Sequence, residues 1–242
     1  MGLKDHIAMV TGANSGIGLR VTEHFLGLGM TVIGLDKNID NLKGLNERLH
    51  PLEVDLTNDV EITRSFQWSE ENLGGIDILV NNAGIGGVTS LLDGNPVEWR
   101  KLFEVNVLAL THCAVEAVRS MRRREIGGHI INITSNLADH VPSYAPFHFY
   151  SATKHAAKAI TEGLRKEVRN FSIPIRICSI SPGLVKTGIF KYSLGDEMDK
   201  LIYDKYPSIS PTDIASAIEY IIRSPENVNI SEINIKPTGS ES

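Results

Sequence analysis

Short apolar runs alternate with stretches of helical periodicity along the chain, and this alternation is the strongest constraint on its fold. The runs are rich in Val and Ile and are bounded by Gly, Asp or Pro, which is typical of buried strands. The strongest are Ile7–Val10, Met30–Leu35, Ile76–Val80, Ile130–Ile133 and Ile175–Ile180, and the weaker are Pro51–Val54 and Glu232–Ile235. Helical patterns lie near residues 17–28, 38–48, 58–72, 96–123, 147–170 and 211–223. The sequence therefore predicts an α/β fold, a doubly wound parallel sheet of about seven strands with helices on both faces.

A single domain accounts for the length of 242 residues. No linker divides residues 1–242, so we expect one such domain. The stretch 183–210 interrupts the alternation, with Gly188, Gly195 and Pro207 inside it. Because ligands of open α/β sheets bind at the carboxyl ends of the strands, this stretch is a candidate substrate lid.

Charge and cysteine content narrow the class of protein. The net charge of −5 gives no basic surplus for nucleic acid or an anionic membrane. No run reaches the roughly 18 apolar residues of a membrane span, and the N-terminus does not resemble a signal peptide. Both cysteines, Cys113 and Cys178, lie in apolar stretches as expected for buried thiols. We therefore expect a cytoplasmic enzyme from a reducing compartment.

A glycine-rich string follows the first strand directly and opens the first helical pattern. Its spacing, G-x-x-x-G-x-G, permits a tight turn and lets the backbone approach a pyrophosphate at a helix N-terminus. The residues expected at this phosphate site are Gly12, Asn14, Ser15, Gly16, Ile17 and Gly18. The alternative is a closely packed turn that binds no ligand.

Polar or small residues also follow the next three strands. Asp36 ends the second strand, where a carboxylate can accept hydrogen bonds from the ribose hydroxyls of an adenosine. Asp55 and Leu56 follow the third strand and are candidates to border the adenine. The fourth strand ends in Asn82-Ala83-Gly84, which would let the backbone approach the cofactor. Each position is also compatible with an ordinary turn or helix cap.

Tyr150 and Lys154 are four residues apart at the start of a long helical pattern, so they share one helix face. A phenol has an ordinary pKa near 10 and is a poor base at neutral pH. A neighbouring ammonium favours the phenolate, so we expect Lys154 to lower the pKa of Tyr150. The pair is a candidate general acid and base, although the same spacing is common on solvated helix faces.

Together these motifs resemble the short-chain dehydrogenase/reductase family, whose members have a Rossmann-type sheet and bind NAD or NADP. The matching segments are TGANSGIG at 11–18, Asp55, NNAG at 81–84, Asn106, Ser135, YSATK at 150–154 and Pro182-Gly183. They occur in the family order and extend from residue 11 to about residue 190. The resemblance implies an oxidoreductase that transfers a hydride between a nicotinamide and an alcohol or carbonyl substrate.

The resemblance also implies a role for each catalytic residue. Tyr150 would exchange a proton with the substrate oxygen, and Ser135 would hold and polarise that oxygen. Lys154 would lower the pKa of the tyrosine and bind the nicotinamide ribose. Asn106 would position a water that links Lys154 to solvent.

The same resemblance places the nicotinamide end of the cofactor after the sixth strand. Pro182, Gly183 and Val185 would border the nicotinamide, and Thr187 would reach its carboxamide. Family members are commonly homodimers or homotetramers joined through the helices near 96–123 and 147–170, and we expect one of these states here. No metal is expected, because His140, His148 and His155 lack ligand spacing.

One departure from the family is that Ser135 and Tyr150 are 15 positions apart, which exceeds the usual separation. A similar spacing, with the block HFYSATK, occurs in a subgroup of insect farnesol dehydrogenases and vertebrate dehydrogenase/reductase member eleven. That subgroup tends to have a small residue and then Arg after the second strand, and to use NADP. This chain has Asp36 and Lys37 instead. A carboxylate would repel the 2′-phosphate of NADP, so we predict NAD, although Lys37 could offset part of the repulsion.

The segments around the site predict an apolar alcohol or carbonyl substrate of isoprenoid, long-chain or steroid type. The residues that favour it are Val141, Pro142, Tyr144, Pro146, Phe147, Phe190, Tyr192, Leu194, Met198, Leu201 and Tyr203. Two other functions remain open. One is a non-catalytic dinucleotide-binding protein, which would not need the four catalytic residues. The other is a β-ketoacyl carrier-protein reductase, which the acidic balance and Asp36 disfavour.

Overall fold

Seven parallel strands form one sheet in the computed structural model, which describes residues 2–87, 90–143 and 145–240. The strands are β1 (Ile7–Thr11), β2 (Thr31–Asp36), β3 (Leu49–Glu53), β4 (Ile78–Asn81), β5 (Gly128–Ile133), β6 (Ile175–Pro182) and β7 (Glu232–Ile235). Their spatial order is β3-β2-β1-β4-β5-β6-β7. All seven predicted strands are present, with boundaries shifted by a few residues at most, and the α/β prediction is confirmed.

Helices cover both faces of the sheet because successive strand residues point to opposite sides. Ala8 and Val10 of β1 belong to a core on one face, packed by α1 (Gly16–Gly27) and α8 (Pro211–Ile222). Met9, between them, points to the other core, which is packed by the helices α2, α4 and α5. Those three span Asp59–Leu73, Leu110–Arg123 and His148–Val168. The predicted doubly wound arrangement is therefore confirmed.

The helical pattern near 96–123 is interrupted in the structure. It consists of α3 (Pro96–Phe103), a π-helical segment (Glu104–Ala109) and α4. A π-helical segment accommodates one extra residue in a helix and often occurs at a functional site. Here it contains Asn106, one of the expected site residues.

The prediction of a helix near 38–48 was wrong, because this segment is a series of turns. Asn38 accepts a hydrogen bond from the backbone of Asp40, and Asn46 accepts one from Arg48. Such local bonds from Asn side chains compete with helix formation. Gly44 has a φ of +71°, which a right-handed helix excludes. The apolar residues of the segment suggested helical periodicity, but the Asn and Gly residues determine the turns.

The stretch 183–210 contains two short helices, α6 (Ile189–Leu194) and α7 (Asp196–Lys205). Its two ends are joined by backbone hydrogen bonds, from Lys186 to the Ile209 carbonyl (2.8 Å) and from Ile209 to the Leu184 carbonyl (2.9 Å). The two helices therefore lie in an inserted segment whose two ends are hydrogen-bonded to each other. We refer to this stretch as the lid segment.

Cys113 and Cys178 are buried and unpaired, as the sequence predicted. Burial raises the pKa of each thiol to about 12, so both remain protonated at neutral pH. None of the helices within the described residues is both long and apolar enough to cross a membrane.

The direction of the chain reverses between β1 and β4, which are neighbours in the sheet although residues 12–77 separate them. From β1 the chain builds outward to β2 and β3, and after β4 it builds outward the other way. In sheets of this order, ligands bind outside the carboxyl ends of the strands at such a reversal point. The glycine-rich loop after β1 and the segment after β4 meet there.

Candidate active site

A cavity of about 2000 Å³ lies at the carboxyl ends of the strands. It exceeds the range of about 300–1,000 Å³ that is usual for small-ligand pockets, so it can hold a ligand together with a second molecule. Every residue predicted to be catalytic or to bind the cofactor lines this cavity, except Gly18 and Asn106. The structure therefore brings together groups from distant parts of the chain.

The glycine-rich loop leads into the N-terminus of α1. Gly12 and Gly16 have φ values of +64° and +53°, which glycine adopts without strain. Ser15 precedes the helix, and its side chain does not cap it. The first N–H groups of a helix have no partners within it, so those of α1 face the cavity and fit a pyrophosphate. Gly18 lies behind the loop, where a Cβ would be 2.1 Å from the Gly12 carbonyl oxygen.

A hydroxyl at the end of β1 joins the two loops of the reversal point. The Oγ1 of Thr11 accepts hydrogen bonds from the backbone N–H groups of Asn82 and Ala83, both at 3.0 Å. In return the Asn82 side chain donates to the carbonyls of Thr11 and Gly12. No role was expected for Thr11, although a hydroxyl that ends a strand beside a glycine-rich turn was a usable signal in the sequence.

The Asp36 carboxylate already has two backbone partners. It accepts hydrogen bonds from the N–H of Asn14 (3.0 Å) and of Asn38 (3.1 Å). The Asn14 side chain in turn accepts from the backbone N–H of Asn41 (2.8 Å). Asp36 therefore fixes the glycine-rich loop to the turn after β2, and it remains partly exposed on the cavity wall.

Lys37 is paired with Asp55 at the same end of the cavity. Its Nζ is 3.0 Å from a carboxylate oxygen of Asp55. Hydrogen bonds from Thr57 and then Lys37 lower the pKa of Asp55 to about 2, and the same pairing raises the pKa of Lys37. Both groups are therefore charged at neutral pH, and the ammonium is directed toward Asp55 rather than toward Asp36.

Tyr150 lies in the first turn of α5 and lines the cavity together with Ser135. Burial raises the pKa of Tyr150 to about 12, and a hydrogen bond with Ser135 lowers it by a smaller amount. We had expected the neighbouring Lys154 to lower this pKa below its ordinary value. The net direction is opposite, because desolvation of the phenolate is the larger effect.

Lys154 is buried one turn further along α5. Its Nζ donates to the Ile133 carbonyl at the end of β5 (3.1 Å) and lies 5.7 Å from the centre of the Tyr150 ring. Burial lowers the pKa of Lys154 to about 8. The Lys154 ammonium is thus hydrogen-bonded to the end of the sheet, and it lies beside the phenol of Tyr150 in the site.

Asn106 does not line the cavity, and its side chain is occupied. Its Oδ1 accepts from the backbone N–H of Ile85 (2.9 Å), and its Nδ2 donates to the Ile85 carbonyl and to the Thr153 hydroxyl. Thr153 donates onward to the Tyr150 carbonyl (2.7 Å). These contacts connect the π-helical segment to the first turn of α5. Thr153, like Thr11, was given no role from the sequence.

The segment after β6 forms the opposite wall of the cavity. Pro182, Gly183, Val185 and Thr187 all line it. The N–H of Gly183 donates to the Ile235 carbonyl of β7 (2.7 Å), so the sheet positions the start of this wall.

The apolar residues predicted around the site divide into two groups. Val141, Pro142, Phe147 and Phe190 line the cavity, whereas, among the described residues, Pro146, Leu194, Met198, Leu201 and Tyr203 do not. Tyr144 and the side chain of Tyr192 lie outside the described residues. His140 lines the cavity, while His148 donates to the Pro142 carbonyl (2.9 Å).

Known proteins resemble the chain over most of its length. A family model described as short chain dehydrogenase matches residues 6–197. Dehydrogenase/reductase SDR family member 11 of Bos taurus is 39% identical over 248 residues, which cover 97% of both chains. Farnesol dehydrogenase of Aedes aegypti is 36% identical over 244 residues, again with 97% of both chains covered.

Solved structures share the fold across nearly the whole chain. A closed form of serine dehydrogenase complexed with NADP⁺ has a TM-score of 0.88 and 27% identity, and covers 98% of this chain and 96% of its own. A 4-hydroxyisoleucine dehydrogenase complexed with NADH has a TM-score of 0.81 and 30% identity, with 98% and 100% covered.

Proposed function

Because the chain belongs to the short-chain dehydrogenase/reductase family, we propose that it interconverts an apolar alcohol and its ketone or aldehyde with a nicotinamide cofactor. The observation that carries this proposal is the cavity at the reversal point of the sheet. Its wall includes Tyr150, Lys154 and Ser135 as well as the glycine-rich loop at the N-terminus of α1. A non-catalytic dinucleotide-binding protein would need the loop but not the other three side chains.

The bound nicotinamide would supply or accept the hydride, and the protein would supply position and proton transfer. Ser135 holds the substrate oxygen beside Tyr150. The pKa of Tyr150 lies well above neutral pH, so its hydroxyl has a proton to donate to a carbonyl oxygen. In the oxidation direction the phenolate must form, and the ammonium of Lys154 favours it.

We propose NAD rather than NADP as the cofactor. Asp36 is placed to accept from ribose hydroxyls, and its charge would repel a 2′-phosphate. The pairing of Lys37 with Asp55 supports the same choice, because a lysine that must leave a carboxylate offsets less of the repulsion. Both cofactors occur among the solved relatives, one being complexed with NADP⁺ and another with NADH.

Asp36→Ala is expected to shift the cofactor preference at least tenfold toward NADP. The change removes the carboxylate and leaves Lys37 as the nearest charge for a 2′-phosphate. The measurement is kcat/KM with NAD and with NADP, taken as a ratio so that general loosening of the loop cancels. Adding Lys37→Ala to Asp36→Ala is the control and should abolish the gain. A wild-type preference of tenfold for NADP would contradict the NAD assignment.

The apolar class of substrate is supported by the cavity wall beyond Tyr150. Val141, Pro142, Phe147 and Phe190 lie there, and Val141 is 65% exposed and available for contact. Burial of such surface contributes about 25 cal/mol per Å². The similarity to a farnesol dehydrogenase at 36% identity points to the same isoprenoid or long-chain class.

A hydroxy amino acid is the competing class of substrate. Arg100, Lys101 and Lys205 line the same cavity and are suited to a carboxylate. Two of the solved relatives carry amino acid names, serine dehydrogenase and 4-hydroxyisoleucine dehydrogenase.

An absorbance assay of the nicotinamide with a substrate panel tests both the activity and the class. We expect kcat/KM for isoprenoid or long-chain alcohols and their carbonyls to exceed that for serine or small polyols by at least tenfold. Turnover of the hydroxy amino acids alone would overturn the apolar assignment and keep the oxidoreductase. Absence of any turnover, with dinucleotide still bound, would favour the binding protein.

The proposal extends to the assembly and location inferred from the sequence, a cytoplasmic homodimer or homotetramer. The exposed apolar side chains Phe103 and Leu108 on the helices near 96–123 support association through that face. The two buried, unpaired cysteines agree with a reducing compartment.

A further inference from the structure

The hydroxyl of Tyr203 lies within hydrogen-bonding distance of three backbone groups in the turn after β6. It accepts from the N–H of Thr187 (3.0 Å), and it is within donor distance of the carbonyls of Thr187 (2.7 Å) and Val185 (3.0 Å). Because a phenol has one proton, it donates to these two carbonyls alternately or in a shared bond. One side chain of α7 therefore fixes the turn that forms a wall of the cavity.

Thr187 lies between that hydroxyl and the glycine-rich loop. A Cβ placed on Gly16 would be 3.3 Å from both Cβ and Cγ2 of the Thr187 side chain. The backbone of Thr187 is thus held from the α7 side, while its side chain lies close to Gly16 at the N-terminus of α1. The position of Thr187 sets the distance across the cavity at this point.

Aromatic contacts hold the Tyr203 ring independently of its hydroxyl. The ring centre is 6.0 Å from that of Phe190, which in turn lies 6.3 Å from Phe147 in an edge-to-face arrangement. Phe147 directly precedes α5, the helix that carries Tyr150. Removal of the hydroxyl alone therefore leaves the ring packed and tests only its hydrogen bonds.

We propose that Tyr203 is a positioning residue for the nicotinamide end of the cofactor. From α7 its hydroxyl holds the backbone of Val185 and Thr187, which line the wall where the nicotinamide binds. The inference rests on the proposed function, because the nicotinamide must bind along this wall. The adenosine end would be formed by Asp36, Lys37 and Asp55, whose hydrogen bonds and ion pair described above join the segments that follow β1, β2 and β3. The hydroxyl should therefore affect one end of the cofactor and not the other.

Tyr203→Phe tests this with two ligands that differ only at the end in question. NADH contains the nicotinamide, whereas ADP-ribose contains the adenosine and both phosphates but lacks it. Losing a hydrogen bond of this kind typically weakens an interaction by about 3- to 10-fold. We expect the dissociation constant of NADH to rise by that factor in Tyr203→Phe and that of ADP-ribose to change less than twofold. Tyr220→Phe, at a tyrosine that is 66% exposed on α8, is the matched control.

The outcomes separate this inference from the proposed function. Equal binding of NADH by wild type and Tyr203→Phe overturns the positioning role and leaves the oxidoreductase intact. Parallel weakening of NADH and ADP-ribose also overturns it, because that result indicates a general loss of structure. Failure of the wild-type protein to bind either ligand removes the proposed function, and the inference falls with it.

Discussion

Tyr150→Phe is expected to lower kcat by about 10²–10⁴-fold while the dissociation constant of the cofactor stays within twofold of wild type. The phenylalanine ring fills the same space, but no hydroxyl remains to exchange a proton with the substrate oxygen. Steady-state kinetics in both directions and fluorescence titration with NADH measure the two quantities.

Tyr220→Phe serves as the matched control, since Tyr220 is an exposed tyrosine far along the chain on α8. It should leave both quantities unchanged. Retention of activity within a few-fold of wild type in Tyr150→Phe would contradict the assignment of the phenol as the proton donor and acceptor.

Gly18→Ala is expected to weaken cofactor binding and to raise the dissociation constant of NADH more than tenfold. The added Cβ would be 2.1 Å from the Gly12 carbonyl oxygen and 2.5 Å from Nδ2 of Asn82. Because the first of these atoms is backbone, the glycine-rich loop itself must move. Such overpacking also lowers the free energy of unfolding by about 1–3 kcal/mol, which urea denaturation measures.

Gly27→Ala is the matched control in the same helix. Nothing lies within 4 Å of a Cβ at Gly27, so this change should not weaken binding. It should be neutral or stabilise α1, because alanine favours a helix by up to about 1 kcal/mol over glycine. NADH affinity in Gly18→Ala equal to that in Gly27→Ala would show that the close packing at Gly18 is unimportant.

The sheet was predictable because its signals are local. The Val- and Ile-rich runs mark strands buried on both sides, and the glycine-rich string after the first of them marks the turn into α1. The helix near 38–48 was predicted wrongly, because its apolar residues suggested a periodicity that Asn38, Asn46 and Gly44 disrupt. In that segment Leu42 is buried in the core, and the partly buried Ile39 packs against it.

The candidate site residues that line the cavity could be proposed from the sequence, whereas the direction of the pKa shift of Tyr150 could not. The motif YSATK at 150–154 indicated Tyr150 and Lys154, and their spacing of four residues predicted that they share one helix face. The net shift in the pKa of Tyr150 depends on how far the surrounding chain removes water, and this is a tertiary property. The bonding partners of Thr11, Thr153 and Tyr203 depend on tertiary contacts for a similar reason, and only Thr11, at a strand end beside the glycine-rich turn, gave a signal in the sequence.

The hydrogen bonds between Thr11 and Asn82 have a consequence for synthesis of the chain. They join residues 71 positions apart. Non-local pairings of this kind form late, because the intervening chain must first be ordered. A nascent chain that ends before Asn82 therefore contains the whole glycine-rich string without one of the partners that hold its turn. Competence to bind a dinucleotide arises only when β4 has been made and docked against β1, so during translation it is a property of the assembled sheet and not of the motif.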